Sequence, residues 1–168
     1  MFTRLILAAA LLAAPSASPA QVAACAGPEH RQFDFWIGRW SVTETKTGAP
    51  AGQSLIERLY GGCVLRENWT DPDLTGGSLN EYDAASGRWR QTWTDSSGAW
   101  REFVGGLEGG RMVLVARALS QRNPGHVALV RMTFTPNPDG TVRQYSDMSA
   151  DDGATWIERY DYTYRRTK

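Results

Sequence analysis

About ten short segments, in which apolar and polar residues alternate, follow one another between Arg39 and Arg166. Alternation with a period of two is typical of a β-strand that buries one face. Nearly every gap between the segments contains Gly, Asp, Asn or Pro, which favour tight turns. The pattern therefore predicts an antiparallel meander with strands at 39–46, 53–60, 63–70, 76–82, 88–95, 98–105, 110–119, 126–136, 141–148 and 155–165.

A closed barrel is the favoured arrangement of these strands, because closure removes the exposed edges of a sheet. Tryptophans that closely follow a glycine recur along the chain and could also suggest the blades of a β-propeller. A propeller needs at least four blades of about 40 residues each, and the uneven tryptophan spacing does not provide them. We therefore predict an all-β fold, a single up-and-down antiparallel β-barrel of about ten strands over residues 39–168, preceded by a lead segment at 21–38.

Residues 1–20 have the composition of a secretory signal peptide. Arg4 supplies a positive charge, residues 5–14 are apolar, and Ser18-Pro19-Ala20 provides a cleavage site of small residues. The apolar run is too short for a membrane-spanning helix. We expect a bacterial protein that is exported to the periplasm or secreted, with no membrane span.

The two cysteines, Cys25 and Cys63, both follow the predicted cleavage site. In an oxidising compartment we expect them to form a disulfide that ties the lead segment to an early strand. Two buried free thiols are the alternative. Lipidation of Cys25 is a further alternative, because residues 22–25 resemble a bacterial lipobox. A Pro- and Ser-containing stretch separates this site from the apolar run, which argues against lipidation.

Charge and histidine placement exclude several function classes. The chain carries 18 basic and 18 acidic residues without a basic run, so nucleic acid is not an expected partner. His30 and His126 lack the spacing of metal ligands, and no phosphate-binding glycine loop is present. We predict no metal site, no cofactor and no catalytic triad, and the sequence does not indicate an oligomeric state.

Alternation also assigns one face of each strand to the barrel interior. In the segments 63–70 and 88–95 the inward residues are Leu65, Glu67, Trp69, Trp89, Gln91 and Trp93. Asn80 and Tyr82 could join them from the strand between. The same rule buries Met112, Leu114, Ala116, Ala128, Val130, Met132 and Phe134, and puts Trp156, Tyr160, Tyr162 and Tyr164 on one face.

Buried carboxyl and amide groups are costly unless they are hydrogen-bonded. The inward set therefore has two interpretations: a ligand pocket with aromatic walls and a few orienting polar groups, or an internal hydrogen-bond network that only stabilises the fold. We favour the pocket, with ligand contacts from Glu67, Trp69, Asn80, Tyr82, Trp89, Gln91 and Trp93.

Gly38-Arg39-Trp40 at the start of the first strand resembles the Gly-x-Trp signature of the calycin superfamily. That resemblance implies a barrel in which Trp40 closes one end and packs under Arg165 or Arg166 of the last strand. The aromatic stretch 33–37 before it could form a helical turn or a plug across the barrel end.

A wider pattern is similar to a family of uncharacterised, exported bacterial calycin-like proteins. It comprises Phe33-Asp34-Phe35-Trp36-Ile37-Gly38, Gly62-Cys63-Val64-Leu65-Arg66-Glu67-Asn68-Trp69, Ser78-Leu79-Asn80-x-Tyr82-Asp83 and Trp89-Arg90-Gln91-Thr92-Trp93-x-Asp95. This resemblance implies a fold but no activity and no functional residue.

Residues 149–156 match the Asp-box pattern S-x-D-x-G-x-T-W, which also occurs in sialidases. A single copy indicates a hairpin turn rather than a glycosidase, because its Asp can accept backbone N–H bonds within the turn.

We expect the chain to bind a small apolar or amphipathic molecule inside the barrel, and we favour a binding protein over an enzyme. One alternative is an isomerase or hydrolase of the same fold with Glu67 as the general acid or base. Another is an interaction scaffold of the cell envelope with a solid core and an exposed apolar patch.

Overall fold

The computed structural model describes residues 25–120 and 123–167 of the chain. Within these residues, ten β-strands form one closed antiparallel barrel in which sequential strands pair and the last strand pairs with the first. The strands are β1 (Gly38–Glu44), β2 (Pro50–Leu59), β3 (Val64–Thr70), β4 (Thr75–Asp83), β5 (Arg88–Asp95), β6 (Trp100–Glu108), β7 (Arg111–Leu119), β8 (Val127–Pro136), β9 (Val142–Ser149) and β10 (Ile157–Arg166).

The predicted all-β, up-and-down barrel is confirmed, and each predicted segment corresponds to one strand. The predicted signal peptide, residues 1–20, and residues 21–24 of the lead segment lie outside the described residues. Within the described residues, short 3₁₀ helices span Pro28–Arg31, Asp34–Trp36 and Tyr60–Gly62. No helix in the part of the chain that the structure describes is long and apolar enough to cross a membrane.

The aromatic stretch before β1 contains the 3₁₀ turn Asp34–Trp36 and closes one end of the barrel, so both interpretations apply. Phe33 and Trp36 are fully buried and stack on each other with ring centroids 4.9 Å apart. Phe33 also contacts Phe134 and Trp89, at 5.0 Å and 5.7 Å between centroids. Burial of such large rings is strongly favourable, so this stretch forms a plug. We call this the plugged end of the barrel.

Trp40 and Arg166 join the first and last strands at the plugged end. The Arg166 Cζ atom lies 4.4 Å from the centroid of the Trp40 ring, and its Nη1 atom donates a hydrogen bond of 3.0 Å to the Ile37 carbonyl. The Trp40 indole in turn donates to the Trp36 carbonyl at 2.8 Å. The predicted cation–π contact is thus confirmed for Arg166.

The disulfide between Cys25 and Cys63 is also confirmed, with Cα atoms 5.1 Å apart. It connects the lead segment to the connection between β2 and β3, beside the plug. With its sulfur in this bond, Cys25 has no thiol for lipidation, and neither cysteine is a free thiol.

The Asp-box forms the predicted hairpin turn between β9 and β10. The Asp151 carboxylate accepts hydrogen bonds from the Ser149 hydroxyl at 2.7 Å and from the Thr155 hydroxyl and backbone amide at 2.7 Å and 2.9 Å. The Trp156 indole donates to the Gly153 carbonyl at 2.9 Å. Every side chain that defines the motif therefore stabilises the turn.

The prediction that Trp156 shares the inner face of the last strand is wrong. Trp156 precedes β10, and the Arg131 guanidinium stacks on its ring at 3.9 Å on the outside of the barrel. The Asp-box hydrogen bonds hold Trp156 in the turn, so strand alternation does not apply to it. Met112, Leu114, Ala116, Met132 and Phe134 are confirmed as buried residues of β7 and β8, and Val130 packs on the core. Ala128, also predicted to point inward, is only half-buried.

Candidate functional site

A cavity of about 310 Å³ occupies the half of the barrel away from the plug. Its opening lies among residues of the β3–β4 and β5–β6 loops, such as Leu74 and Ala99. Its surface is mostly apolar and includes six aromatic side chains, and polar groups lie in its interior and at its mouth. The lining residues are Glu67, Trp69, Asp71, Leu74, Gln91, Trp93, Asp95, Ala99, Arg101, Phe103, Met132, Gln144, Arg159, Tyr160, Tyr162 and Tyr164.

Two consecutive hairpins, β2–β3 and β4–β5, form one side of this cavity and have similar sequences. Residues 52–71 and 76–95 align without a gap. The positions that are identical in both hairpins are Gly52 and Gly76, Ser54 and Ser78, Leu55 and Leu79, Glu57 and Glu81, Arg66 and Arg90, Trp69 and Trp93, Thr70 and Thr94, and Asp71 and Asp95. The cavity is therefore lined by an internal sequence repeat.

In both hairpins a glycine makes room for the tryptophan. A Cβ atom on Gly52 would lie 2.5 Å from Trp69 Cζ2, and one on Gly76 would lie 2.9 Å from Trp93 Cζ2. Each indole consequently lies across the neighbouring strand at the position where a larger residue would clash. The two rings form flat apolar walls near the mouth.

An aspartate at the end of each strand fixes the indole. Trp69 Nε1 donates to Asp71 Oδ2 at 2.7 Å, and Trp93 Nε1 donates to Asp95 Oδ2 at 2.8 Å. The Trp69 hydrogen bond is the largest cause of the lowered pKa of Asp71. The pKa of Asp95 is lowered by the hydroxyl of Ser97 first and then by the Trp93 indole. Both carboxylates thus stay ionised as acceptors.

Glu67 is the buried carboxyl group of the cavity, with 5% of its surface exposed. Its two oxygens accept hydrogen bonds from the Ser54 hydroxyl at 3.0 Å and the Ser78 hydroxyl at 2.9 Å. Burial disfavours the charged form more than these hydrogen bonds favour it, and so raises the pKa of Glu67 to about 7. Near neutral pH this group can either donate or accept a proton.

A series of hydrogen bonds connects Glu67 through Ser78 to the side-chain amides of Asn80 and Gln91. Gln91, the counterpart of Glu67 in the second hairpin, donates from Nε2 to Asn80 Oδ1 at 2.7 Å. Asn80 Nδ2 donates to Ser78 Oγ at 2.9 Å and to the Leu65 carbonyl at 3.1 Å. Since Ser78 donates to Glu67, the hydrogen bonds from Gln91 through Asn80 and Ser78 form a series that points toward the carboxyl group, and they polarise one another.

Another wall is built by tyrosines of β10. The Tyr164 hydroxyl donates to Gln144 Oε1 at 2.5 Å, and Gln144 Nε2 donates to the Tyr160 hydroxyl at 3.3 Å. Burial raises the pKa of Tyr160 to about 12 and that of Tyr164 well above its usual value. Both hydroxyls therefore remain protonated at physiological pH.

A stack of aromatic rings joins this wall to the first hairpin. The rings of Tyr160 and Tyr162 are nearly parallel with centroids 4.7 Å apart, and Trp69 stacks on Tyr162 at 6.1 Å. The cavity can consequently present flat apolar surface to a ligand on one side and hydrogen-bonding groups on another.

Four of the predicted ligand contacts, Glu67, Trp69, Gln91 and Trp93, line the cavity together. Asn80 lies behind them, fully buried and hydrogen-bonded to Gln91 and Ser78. The remaining two predicted contacts are at the plugged end.

Trp89 donates its indole hydrogen bond to Gln32 at 3.0 Å, and Tyr82 contacts His30 at 5.2 Å between ring centroids. Alternation predicted their inward direction correctly but gave no information on their position along the barrel axis. The plug occupies that end and separates Tyr82 and Trp89 from the cavity.

Several lining residues were not assigned to the pocket from the sequence. The β10 tyrosines were placed on one face but not connected with the other strands, and Phe103, Gln144, Arg101 and Arg159 were not singled out. The repeat between residues 52–71 and 76–95 contains none of these residues. It could have separated Trp93 from Trp89, because it pairs Trp69 with Trp93 rather than with Trp89.

The described residues, 25–120 and 123–167, contain no group of three His, Cys, Asp or Glu side chains that could hold a metal ion. His126 instead binds Asp152 of the Asp-box turn, with its Nδ1 atom 2.6 Å from Oδ2.

Comparison of the chain with models of known protein families gives no match, and comparison with curated proteins gives none either. A functional assignment therefore depends on the geometry of the cavity.

Proposed function

We propose that this protein binds a small, partly apolar molecule in the open half of its barrel. The observation that carries this proposal is a cavity of about 310 Å³ whose surface is mostly apolar, with aromatic rings beside polar side chains. Small-molecule sites in proteins are typically concave and mostly apolar, with a few polar groups that orient the ligand. An interaction scaffold with a solid core would not need such a space.

Each part of the cavity has a role in this proposal. Trp69, Trp93 and Tyr162 would provide stacking surface for a flat ligand. Glu67 and Gln91 would orient polar groups of the ligand, since both are held in place by hydrogen bonds to neighbouring side chains.

The first test is uptake of a neutral fluorescent dye, N-phenyl-1-naphthylamine, by the purified protein. Trp93→Ala should weaken dye binding by about fivefold to tenfold, because it removes one stacking wall. Trp100→Ala is the matched control, since Trp100 is exposed and does not line the cavity. Equal binding by both variants and the unmodified protein would refute a ligand site in the cavity.

Mass spectrometry of organic extracts from natively purified protein would then identify the ligand. A molecule present at one per protein chain, and lost from a folded Trp93→Ala variant, would support the proposal. Protein that carries no molecule and also fails to take up the dye would contradict it.

A second candidate function is acid–base catalysis, favoured by the pKa of about 7 at Glu67 in a ligand-sized cavity. A general acid or base works best when its pKa is close to the working pH. Incubation of the identified ligand with the unmodified protein and with Glu67→Gln separates the candidates. An isomerase or hydrolase should lose turnover in the variant, whereas a carrier should leave the ligand chemically unchanged in both cases.

We also propose that the protein is exported to the periplasm or secreted, and that it is a calycin-like protein. The Cys25–Cys63 disulfide supports export, because disulfides persist in oxidising compartments. The closed barrel and the contact between Trp40 and Arg166 support the calycin resemblance. Recovery of the protein from the cytoplasm with residues 1–20 still attached would contradict the export proposal.

A further inference from the structure

The strand that carries the cavity tyrosines contains a β-bulge beside the mouth. In the pairing of β10 with β9, Glu158 lies opposite Asp147 and Tyr160 lies opposite Ser146. Arg159 has no partner between them and is the additional residue of the bulge. In a regular strand, consecutive side chains point to opposite faces. Here Arg159 and Tyr160 both line the cavity. Bulges re-aim side chains in this way and are frequent next to functional sites.

A second arginine reaches the same opening from β6. Arg101 and Phe103 lie two residues apart on the inward face of that strand, and both line the cavity. Both Arg101 and Arg159 are exposed at the mouth. Among residues 25–120 and 123–167, neither guanidinium forms an ion pair with a carboxylate.

The two carboxylates at the mouth are already engaged. Asp71 accepts the Trp69 indole on one oxygen and two backbone amides of the following turn on the other. Asp95 accepts the Trp93 indole on one oxygen, and on the other the hydroxyl of Ser97 and backbone amides of its turn. The oxygens of both aspartates are thus occupied, and among the lining residues the two arginines are the groups that can donate charged hydrogen bonds to a ligand.

We propose that the ligand is a flat organic anion whose carboxylate or sulfonate group binds to Arg159 and Arg101. Its apolar body then lies along the stack of Trp69 and Tyr162. Guanidinium groups suit this role because their planar donors match the oxygens of such anions. The buried carboxyl group of Glu67 disfavours an anionic group of the ligand in the interior of the cavity. The charged end of the ligand therefore faces the opening. This inference rests on the proposed binding function and adds the charge and orientation of the ligand.

Two dyes with the same ring system test this inference. Anilinonaphthalene-8-sulfonate carries one sulfonate, and N-phenyl-1-naphthylamine is its neutral counterpart. Affinities of both dyes are measured by fluorescence titration for the unmodified protein, Arg159→Gln, Arg101→Gln and the double variant. Arg117→Gln is the matched control, because Arg117 is an exposed arginine of β7 that does not line the cavity.

We expect the unmodified protein to bind the sulfonate dye about tenfold more tightly than the neutral dye. Arg159→Gln should weaken sulfonate binding by about fivefold and change neutral dye binding less than about twofold, and the double variant should abolish the preference. The preference should also shrink at high salt, because the arginines are exposed.

Equal affinity of the unmodified protein for both dyes would overturn the anionic ligand and leave the proposed binding function intact. The same holds if Arg117→Gln weakens sulfonate binding as much as Arg159→Gln does, because the effect would then come from net charge alone. If neither dye binds, both the anionic ligand and the binding function are refuted.

Discussion

Replacement of Glu67 by Gln should change how the stability of the barrel depends on pH. The pKa of Glu67 is about 7 in the folded protein and 4.5 in the absence of its surroundings. The folded state therefore holds this proton more strongly than the unfolded state. The resulting contribution to stability is fully present below about pH 4.5 and is lost as the pH rises through about 7. For a pKa difference of this size the loss is about 3 kcal/mol.

Glu67→Gln removes the titrating group and retains its shape. Gln is also the residue at the corresponding position of the second hairpin, Gln91, and a rotated hydroxyl of Ser54 or Ser78 can accept a hydrogen bond from the new amide. We therefore expect the variant to fold. Between about pH 4.5 and 8, its free energy of unfolding should rise relative to that of the unmodified protein by about 3 kcal/mol.

Urea denaturation at several pH values, with the disulfide intact, measures this difference directly. The other titrating groups are the same in both proteins. Their contribution to the pH dependence of stability therefore cancels when the two curves are subtracted. Glu81→Gln makes the same substitution at an exposed position and should change stability by less than about 0.5 kcal/mol. A difference between unmodified protein and Glu67→Gln that stays constant across this pH range would refute a buried carboxyl group with a raised pKa.

Two further predictions concern the packing of the cavity and the disulfide. Gly52→Ala should destabilise the barrel by about 1–3 kcal/mol and shift the Trp69 ring, because the new Cβ would lie 2.5 Å from it. Gly106→Ala is its control, since a Cβ there meets no atom within 4 Å, and equal loss of stability in urea denaturation would contradict the close approach. Replacement of both Cys25 and Cys63 by Ser should cost about 4 kcal/mol in the chain-entropy estimate for a loop of 38 residues. An unchanged midpoint of urea denaturation would contradict this stabilisation and would mean that packing of the plug is sufficient to fix the lead segment on the barrel.

Local sequence patterns determined the strands and the direction of their side chains. Because consecutive Cβ atoms in a strand point to opposite faces, alternation alone identified Glu67, Trp69, Gln91 and Trp93 as inward residues. The Asp-box turn could be predicted for the same reason, since all of its hydrogen bonds join residues within 149–156. The disulfide followed from the count of two cysteines in a chain expected to be exported.

Only the tertiary structure decided which inward residues share the cavity. Trp89 and Trp93 lie on the same face of β5, yet the plug covers the first and the cavity contains the second. Position along the barrel axis depends on the register of all ten strands and on the packing of residues 33–37, which are long-range properties. Alternation within one strand carries no information about them.

The tertiary structure also decided the chemical properties of the site. The raised pKa of Glu67 arises from burial by other strands, and the inward direction of Arg159 arises from a bulge in the pairing of β10 with β9. Neither effect is encoded by neighbouring residues alone, because desolvation and strand register are both consequences of how distant segments meet. The sequence thus determined the barrel and the inner faces of its strands, and the closure of the barrel decided where those faces form a cavity.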